Sequence, residues 1–272
     1  MRYYDAHNHL HDERFGGRQE ELIAACRAAG VVHMVVNGSC EEDWPQVAAL
    51  ARAHPDLIIP SFGYHPWYVT ERTRRWLEHL TRCLDETPGS VIGEIGLDRW
   101  KPGLSYDGQE DVFAAQLELA AARNLPASIH CLQAWGRMHD LLQGSSRPAR
   151  GFLLHSYGGS QEMVLPFARL GAYFSLPGYY AHERKSRQRQ TFLHVPSDRL
   201  LIETDAPDQS LPDVLNEHPL HDPGTGRALN HPANLPAVYR FAAGLLEQSM
   251  EALAGKVEEN FLRLFSHDGL PE

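Results

Sequence analysis

The sequence of 272 residues has no long apolar run, no paired cysteines and no excess of positive charge. A membrane-spanning helix needs roughly 18 or more consecutive apolar residues, and no stretch approaches that length. The four cysteines stand singly at positions 26, 40, 83 and 131, which argues against a disulfide framework and against a thiolate zinc site. Because a basic, apolar leader is also missing, we expect a cytoplasmic protein that does not engage membranes.

The charge balance is acidic. The chain has 35 Asp and Glu residues against 25 Lys and Arg residues, which gives a formal charge of −10. Proteins bind nucleic acid non-specifically through Lys and Arg side chains that neutralise phosphates. The acidic net charge of this chain therefore does not attract DNA. A polyanionic substrate would need positive charge close to the site, such as metal ions. The one marked excess is histidine, with 16 residues.

The pattern of apolar residues predicts an α/β fold. Short runs rich in β-branched residues predict eight strands, at 2–9, 31–37, 57–64, 90–95, 127–131, 151–155, 172–176 and 199–204. Amphipathic patterns predict helices at 18–29, 42–54, 72–86, 108–124, 134–143, 161–169, 184–194 and 235–246, and a last helix at 250–265. This alternation predicts a (β/α)8 TIM-type barrel forming a single domain over residues 1–272. The alternative, an open doubly wound sheet, usually carries a Gly-rich first turn that is missing here.

Several predicted strands end, on their C-terminal side, in side chains that bind metals. A strand alternates its faces, so we expect Asp5, His7 and His9 to point the same way. In a barrel all the C-terminal strand ends meet at one rim, where active sites of this fold lie. Buried imidazoles and carboxylates are costly unless they are paired or coordinated, so a shared cation explains them better than independent hydrogen bonds. The predicted ligands are His7, His9, Glu94, His130, His155 and Asp205.

The predicted ligand set indicates the kind and number of ions. Four imidazoles and two carboxylates suit Zn²⁺, Mn²⁺ or another divalent ion such as Mg²⁺ better than Ca²⁺, which prefers oxygen ligands alone. Six ligands exceed what one tetrahedral site with an open position requires, so we expect two divalent metal ions bridged by one carboxylate. Glu94 is our choice for the bridge, because it is the acidic ligand from the middle of the barrel.

A set of motifs in this order resembles the TatD family of metal-dependent deoxyribonucleases, within the amidohydrolase-type barrels. The motifs are DAHNHL at 5–10, GYHPW at 63–67, GEIGLD at 93–98, the strand ends at His130 and His155, ETDAPD at 203–208 and NFLRLF at 260–265. They span almost the entire chain. The resemblance implies a TIM-like barrel with a dinuclear site that hydrolyses DNA phosphodiester bonds, as a DNase or 3′-exonuclease acting on single strands or 3′ ends.

The resemblance also implies roles for individual residues. One ion would be held by His7, His9, Glu94 and Asp205, and the other by Glu94, His130 and His155. The catalytic residues would be Glu94, as the bridge, and Asp205, as general base for a metal-activated water. His65 would lie beside the site as a phosphate contact, and Arg99 on the same rim is a second candidate. Lys101 follows on that rim, and Trp67, Trp100 and Tyr180 are candidate surfaces on which bases stack.

The sequence departs from the family's pattern in two places that bear on the substrate. Residues 229–234 read LNHPAN, where such families often carry an Arg-Asn-Glu-Pro-like motif, and Arg99 replaces the aromatic residue that commonly follows GLD. The alternative hypothesis is therefore a small-molecule hydrolase, acting on an ester, lactone, amide or phosphoester with the same metals. It requires the loop at 205–234 to fold over a closed pocket, whereas a nuclease requires an open groove. No heptad pattern is present, so we expect a monomer.

Overall fold

Eight parallel strands follow one another around a barrel in the computed structural model, which describes residues 1–266. The sheet order is the chain order, as the TIM-type prediction requires. The last six residues of the predicted domain lie outside the described residues. The strands are β1 (Tyr3–Asn8), β2 (Val31–Asn37), β3 (Ile58–Phe62), β4 (Val91–Asp98), β5 (Ala127–Leu132), β6 (Phe152–Leu154), β7 (Ala172–Pro177) and β8 (Leu200–Glu203).

Helices cover the outside of the barrel, close to the predicted positions. They bury apolar side chains against the strands, and the sheet is itself buried on both faces, as parallel sheets are. The helices are α1 (Gln19–Ala28), α2 (Trp44–Ala53), α3 (Trp76–Glu86), α4 (Tyr106–Arg123), α5 (Trp135–Gly144), α6 (Val164–Arg169), α7 (Ser186–Phe192), α8 (Leu235–Leu245) and α9 (Met250–Phe265). No helix within the described residues is long and apolar enough to cross a membrane.

The barrel closes where β8 meets β1. The backbone N–H of Asp205 donates to the carbonyl oxygen of His7 at 2.9 Å, and the N–H of His9 donates to that of Ala206 at 2.7 Å. The carboxylate of Asp5 adds to this closure, since it accepts from the backbone N–H of Thr204 at 2.9 Å and from the Thr204 hydroxyl. The first and last predicted ligands therefore come from adjacent strand ends.

The C-terminal helix α9 is hydrogen-bonded to the barrel at the N-terminal end of β8. The side-chain amide of Asn260 on α9 donates to the carbonyl oxygens of Ser197 at 2.8 Å and Leu200 at 2.9 Å. These contacts satisfy backbone groups at the start of β8, where the chain enters the barrel. The NFLRLF motif thus has a structural explanation, because it supplies the amide and the apolar face of this helix.

The segment at 205–234 is a long connection that the barrel positions above its rim. It contains a two-stranded antiparallel ribbon, β9 (Leu220–His221) with β10 (Ala228–Leu229). The guanidinium of Arg14, from the loop after β1, forms a bidentate pair with Asp208 at 2.8 and 2.9 Å. Asn230 donates its amide to the carbonyl oxygen of Thr204 at 2.7 Å. In the stretch that departs from the family's motif, Asn230 therefore anchors this loop to the barrel.

Candidate metal centre

All six predicted ligands lie together at the C-terminal rim of the barrel. Two belong to the β1 end and one each to β4 and β5, while His155 follows β6 directly and Asp205 lies two residues after β8. The group consists of His7, His9, Glu94, His130, His155 and Asp205, and every member but the half-buried His9 is buried.

The first half of the cluster surrounds one carboxylate oxygen of Glu94. The Nε2 atoms of His7 and His9 are 3.3 Å apart, and they lie 3.6 and 3.3 Å from Oε2 of Glu94. Oδ1 of Asp205 is 3.6 Å from the first Nε2 and 3.7 Å from the second. The donor atoms of His7, His9 and Glu94 thus form one group that could hold a metal ion, and Oδ1 of Asp205 lies near the same two imidazoles.

The second half surrounds the other oxygen of the same carboxylate. Oε1 of Glu94 lies 2.8 Å from Nε2 of His155, 3.0 Å from Nδ1 of His130 and 3.4 Å from Nε2 of His65. Each oxygen of Glu94 therefore faces its own set of histidines, which is the arrangement that a bridging carboxylate requires.

Contacts on the outer ring nitrogens orient three histidines so that their inner nitrogens face the cluster. Nδ1 of His9 lies 2.7 Å from the carbonyl oxygen of Asn37, which accepts and never donates. Nδ1 of His7 lies 2.8 Å from the Ser128 hydroxyl. Nε2 of His130 lies 3.1 Å from a carboxylate oxygen of Asp98. With the proton on the outer nitrogen, the inner nitrogen of a neutral imidazole keeps its lone pair for a cation.

His155 has the same orientation with a looser outer contact. Its buried Nδ1 lies 3.8 Å from Oε1 of Glu203 and makes no hydrogen bond among the described residues. Glu203 is fully buried and accepts instead from the backbone N–H of Ser156 at 2.8 Å and from the Ser156 and Ser175 hydroxyls. A buried carboxylate on the outer side of the ring, as Glu203 is here, is the kind of group that orients a ligating histidine.

His65 has the opposite arrangement. Its outer Nδ1 accepts a hydrogen bond from the backbone N–H of Trp67 at 3.2 Å. A neutral ring with an accepting Nδ1 carries its proton on Nε2, and burial lowers the pKa of His65 to about 4. His65 therefore presents an N–H, and not a lone pair, to Glu94.

Burial and neighbouring charges shift the pKa values of the cluster in both directions: burial acts to lower the pKa of His9, but Glu94 and Asp205 raise it to about 9. Burial raises the pKa of Asp205 to about 7 and lowers that of His7 to about 3. Burial acts to raise the pKa of Glu94 as well, but His65 and His155 hold it well below its usual range. Buried ionisable groups this close together are costly without a compensating charge. The donor set, its burial and its spacing fit divalent cations.

A glycine in β4 lets the cluster assemble. Gly96 pairs with His130 of β5 and has a φ of +151°, and a Cβ built there would lie 1.9 Å from the His130 carbonyl oxygen. No side chain fits that space, so the glycine of the GEIGLD motif permits the close approach of β4 to β5. This approach brings Glu94 and His130 into contact.

The structure also brings in residues that sequence reasoning missed. Asp98 holds His130, and Ser128 holds His7. Gln209, in the long connection, donates its amide to Oδ2 of Asp205. The position of Asp98 at the end of an otherwise apolar strand was a usable signal. The other contacts depend on loop geometry.

Three other residues named from the sequence make contacts of their own. Asp5 is apart from the cluster, because its carboxylate is bound to Thr204 and to the Asn8 amide at 3.1 Å. Arg99 pairs with Glu110 at 3.2 Å, and its role as a phosphate contact stays a prediction. Tyr180 is buried and donates to the carbonyl oxygen of Ser156 at 2.6 Å, so its ring is no open surface for a base.

Comparison with known proteins agrees with this geometry. The model of the family described as TatD related DNase matches residues 4–266. The chain belongs to this family. A protein of Pantoea ananatis named 3'-5' ssDNA/RNA exonuclease TatD is 30% identical over 263 residues, which cover 96% of this chain and 98% of that protein. The Edwardsiella piscicida protein of the same name is 31% identical over 261 residues, which cover 94% and 96%.

Solved structures give the same result for this TatD-family chain. The crystal structure of YJJV, a TatD homologue from Escherichia coli K12, has a TM-score of 0.86 and 26% identity, and covers 97% of both chains. A TatD-family hydrolase of Entamoeba histolytica has a TM-score of 0.84 at 17% identity, with coverage of 97% and 98%, and so shows the fold alone. The predicted barrel and the predicted family are both confirmed.

Proposed function

We propose that the protein is a divalent-metal-dependent nuclease that hydrolyses phosphodiester bonds of DNA from the 3′ end, preferring single strands. The observation that carries the proposal is Glu94, whose two oxygens face separate groups of histidines in a chain of the TatD-related DNase family. The name of the Pantoea relative supports the strand form and the direction. We further propose that the chain acts as a monomer and as a single domain.

The proposed metal ligands follow from the free nitrogens and the facing oxygens. His7, His9, Asp205 and Glu94 would hold one divalent ion, and His130, His155 and Glu94 would hold the other. A set rich in imidazole favours Zn²⁺ or Mn²⁺, with Mg²⁺ a weaker candidate. When bound, such a pair of ions would activate water near neutral pH and neutralise charge on phosphoryl oxygens.

Asp205 and His65 are the proposed proton-handling and phosphate-holding groups. The Gln209 amide holds Oδ2 of Asp205, so the carboxylate keeps a fixed direction toward the cluster and accepts the proton of the attacking water. His65 offers its Nε2–H at the Glu94 side, where it donates to an oxygen of the bound phosphate. Arg99 ranks second as a phosphate contact, because Glu110 already offsets its charge.

The small-molecule alternative is not favoured. Neighbours of that kind, such as the Listeria monocytogenes lactonase, are 15% identical with a TM-score of 0.64, and they show the fold alone. An assay that offers the metal-loaded protein a single-stranded oligonucleotide, a duplex and a lactone distinguishes the two hypotheses. A nuclease cleaves the DNA, whereas a small-molecule hydrolase cleaves the lactone.

The decisive assay uses single-stranded DNA labelled at either end. We expect a 3′ label to leave first as a mononucleotide and a 5′ label to give a ladder of shortening products, both abolished by a chelator. Glu94→Ala is the control for contaminating nuclease. If that variant digests DNA as well as the parent does, or if the parent cleaves the lactone and spares DNA, the proposal is wrong.

A further inference from the structure

The segments that follow β3 and β4 place one ammonium group and two indole rings beside the cluster, with Trp67 after β3 and Trp100 and Lys101 after β4. Nζ of Lys101 lies 4.2 Å from the centre of the Trp67 ring. Trp67 stands edge-on to His65 at 5.1 Å and to His130 at 6.4 Å between ring centres. Trp100 is 60% exposed, more than any other aromatic side chain in the described part of the chain. A cation and an exposed ring thus lie close to the part of the cluster that contains His65 and His130.

One buried carboxylate holds the turn after β4 in place. Oδ1 of Asp98 accepts from the backbone N–H groups of Trp100 at 2.7 Å and Lys101 at 3.0 Å. Oδ2 accepts from the Trp67 indole at 2.6 Å and from Nε2 of His130 at 3.1 Å. Asp98 is fully buried. The turn is therefore built at a defined distance from a ligand of the cluster.

The charge of Lys101 is available, unlike that of its neighbour. Across residues 1–266, no carboxylate oxygen lies within 4.0 Å of its ammonium group, whereas Arg99 and Arg137 both pair with Glu110. A cation over an aromatic face keeps its charge and gains order from the ring. In a protein of net charge −10, such a cation on the active rim attracts a phosphate.

We propose that Trp67, Trp100 and Lys101 form a nucleotide subsite next to the metal centre. Lys101, steadied by Trp67, holds the phosphate adjoining the one that is cleaved, and Trp100 stacks on a base. The subsite rests on the proposed nuclease function. Bases in a duplex are stacked on one another, so an exposed indole takes a base from an unpaired strand. The subsite thus explains a preference for single strands.

The test measures binding apart from cleavage. Metal-loaded protein is titrated with a fluorescent single-stranded oligonucleotide whose 3′-terminal linkages are phosphorothioates, over a range of salt concentrations. We expect Trp100→Ala to weaken binding about 10-fold, with Trp100→Phe restoring most of it. Lys101→Ala should lower the slope of log affinity against log salt by about 0.7, which is the value for one phosphate contact on a single strand. The matched control Lys256→Ala, on α9 and paired with Glu259 at 2.6 Å, should bind as the parent does.

Failure of the subsite and failure of the function give different results. If the parent cleaves DNA while the Trp100 and Lys101 variants keep its affinity and its salt slope, the subsite is wrong and the nuclease proposal stands. If the parent neither binds nor cleaves the oligonucleotide, both are wrong. DNA-induced quenching of indole fluorescence, compared between the parent and Trp100→Phe, checks the stacking directly, since equal quenching overturns the role of Trp100.

Discussion

A carboxylate oxygen of Asp98 lies 3.1 Å from Nε2 of His130 and accepts a hydrogen bond from that nitrogen. This bond sets the tautomer of the ring, so Nδ1 faces Glu94 with its lone pair free. Removing it leaves the ring free to turn and to shift its proton to the inner nitrogen.

Asp98→Ala should weaken binding of one of the two proposed divalent ions about 10- to 100-fold, because partners behind a ligand orient it and raise its basicity. The measurement is a calorimetric titration of metal-free protein with Mn²⁺. Asp140→Ala removes an exposed carboxylate of α5 and serves as the control. Equal affinity for Asp98→Ala and the parent contradicts the role given to Asp98.

His65 and His130 should differ in their effect on metal content. His65→Ala should keep both ions and lose activity, because His65 offers an N–H where His130 offers a lone pair. His130→Ala should lose one ion. Elemental analysis of purified variants gives the ratio, and loss of an ion from His65→Ala contradicts the tautomer assigned to it.

Gly96→Ala should destabilise the fold by about 3 kcal/mol or more, since its methyl group meets the His130 carbonyl oxygen in a backbone conformation that suits glycine. Gly255→Ala, on α9 with open space around it, is the matched control and should stabilise by about 0.5–1 kcal/mol. Urea denaturation of both variants measures the free energy of unfolding. If Gly96→Ala is as stable as the parent, the close approach of β4 to β5 does not require a glycine at this position.

His231 should make stability depend on pH. Burial, together with repulsion from His218 and Arg18, lowers its pKa to about 4 from 6.5. Above pH 6.5 the ring is neutral in both states. As the pH falls from 6.5 toward 4, the unfolded chain takes up a proton that the folded protein excludes, so the free energy of unfolding decreases.

The measurement compares His231→Asn with the parent in chelator, so that metal release does not contribute. The Asn side chain keeps an acceptor for the Ala233 N–H that His231 holds at 3.0 Å. The variant should lose less stability than the parent over this pH range. Parallel curves for the two proteins overturn the assignment.

The sequence alone predicted the barrel and the six residues that cluster at its rim. The reason is physical: parallel strands place all their C-terminal ends on one rim, so a ligand at each strand end implies a cluster. Strand periodicity also predicted that Asp5 would point with His7 and His9, and there it was wrong. The pairing of β1 with β2 shifts register between Asp5 and Asn8, and the carboxylate binds Thr204 at the barrel closure.

The contacts that orient the side chains of the site could not be predicted from the sequence. The N–H on His65 depends on where the turn places the backbone of Trp67. Gln209 reaches Asp205 through a connection with no periodic pattern. Arg99, a good candidate by position, is paired with Glu110, whose contact needs α4 to be placed beside the rim. Loop conformation sets the first two contacts, and the placement of α4 sets the third.

The central claim is that Glu94 bridges two divalent ions. Anomalous diffraction from crystals grown with Mn²⁺ tests it most directly. The account predicts two peaks, one between Oε2 of Glu94 and the His7 and His9 rings, and one between Oε1 and the His130 and His155 rings, with both peaks weakened in Glu94→Gln. A protein that cleaves DNA with no anomalous peak at Glu94, or whose Glu94→Gln variant keeps both peaks and full activity, contradicts it.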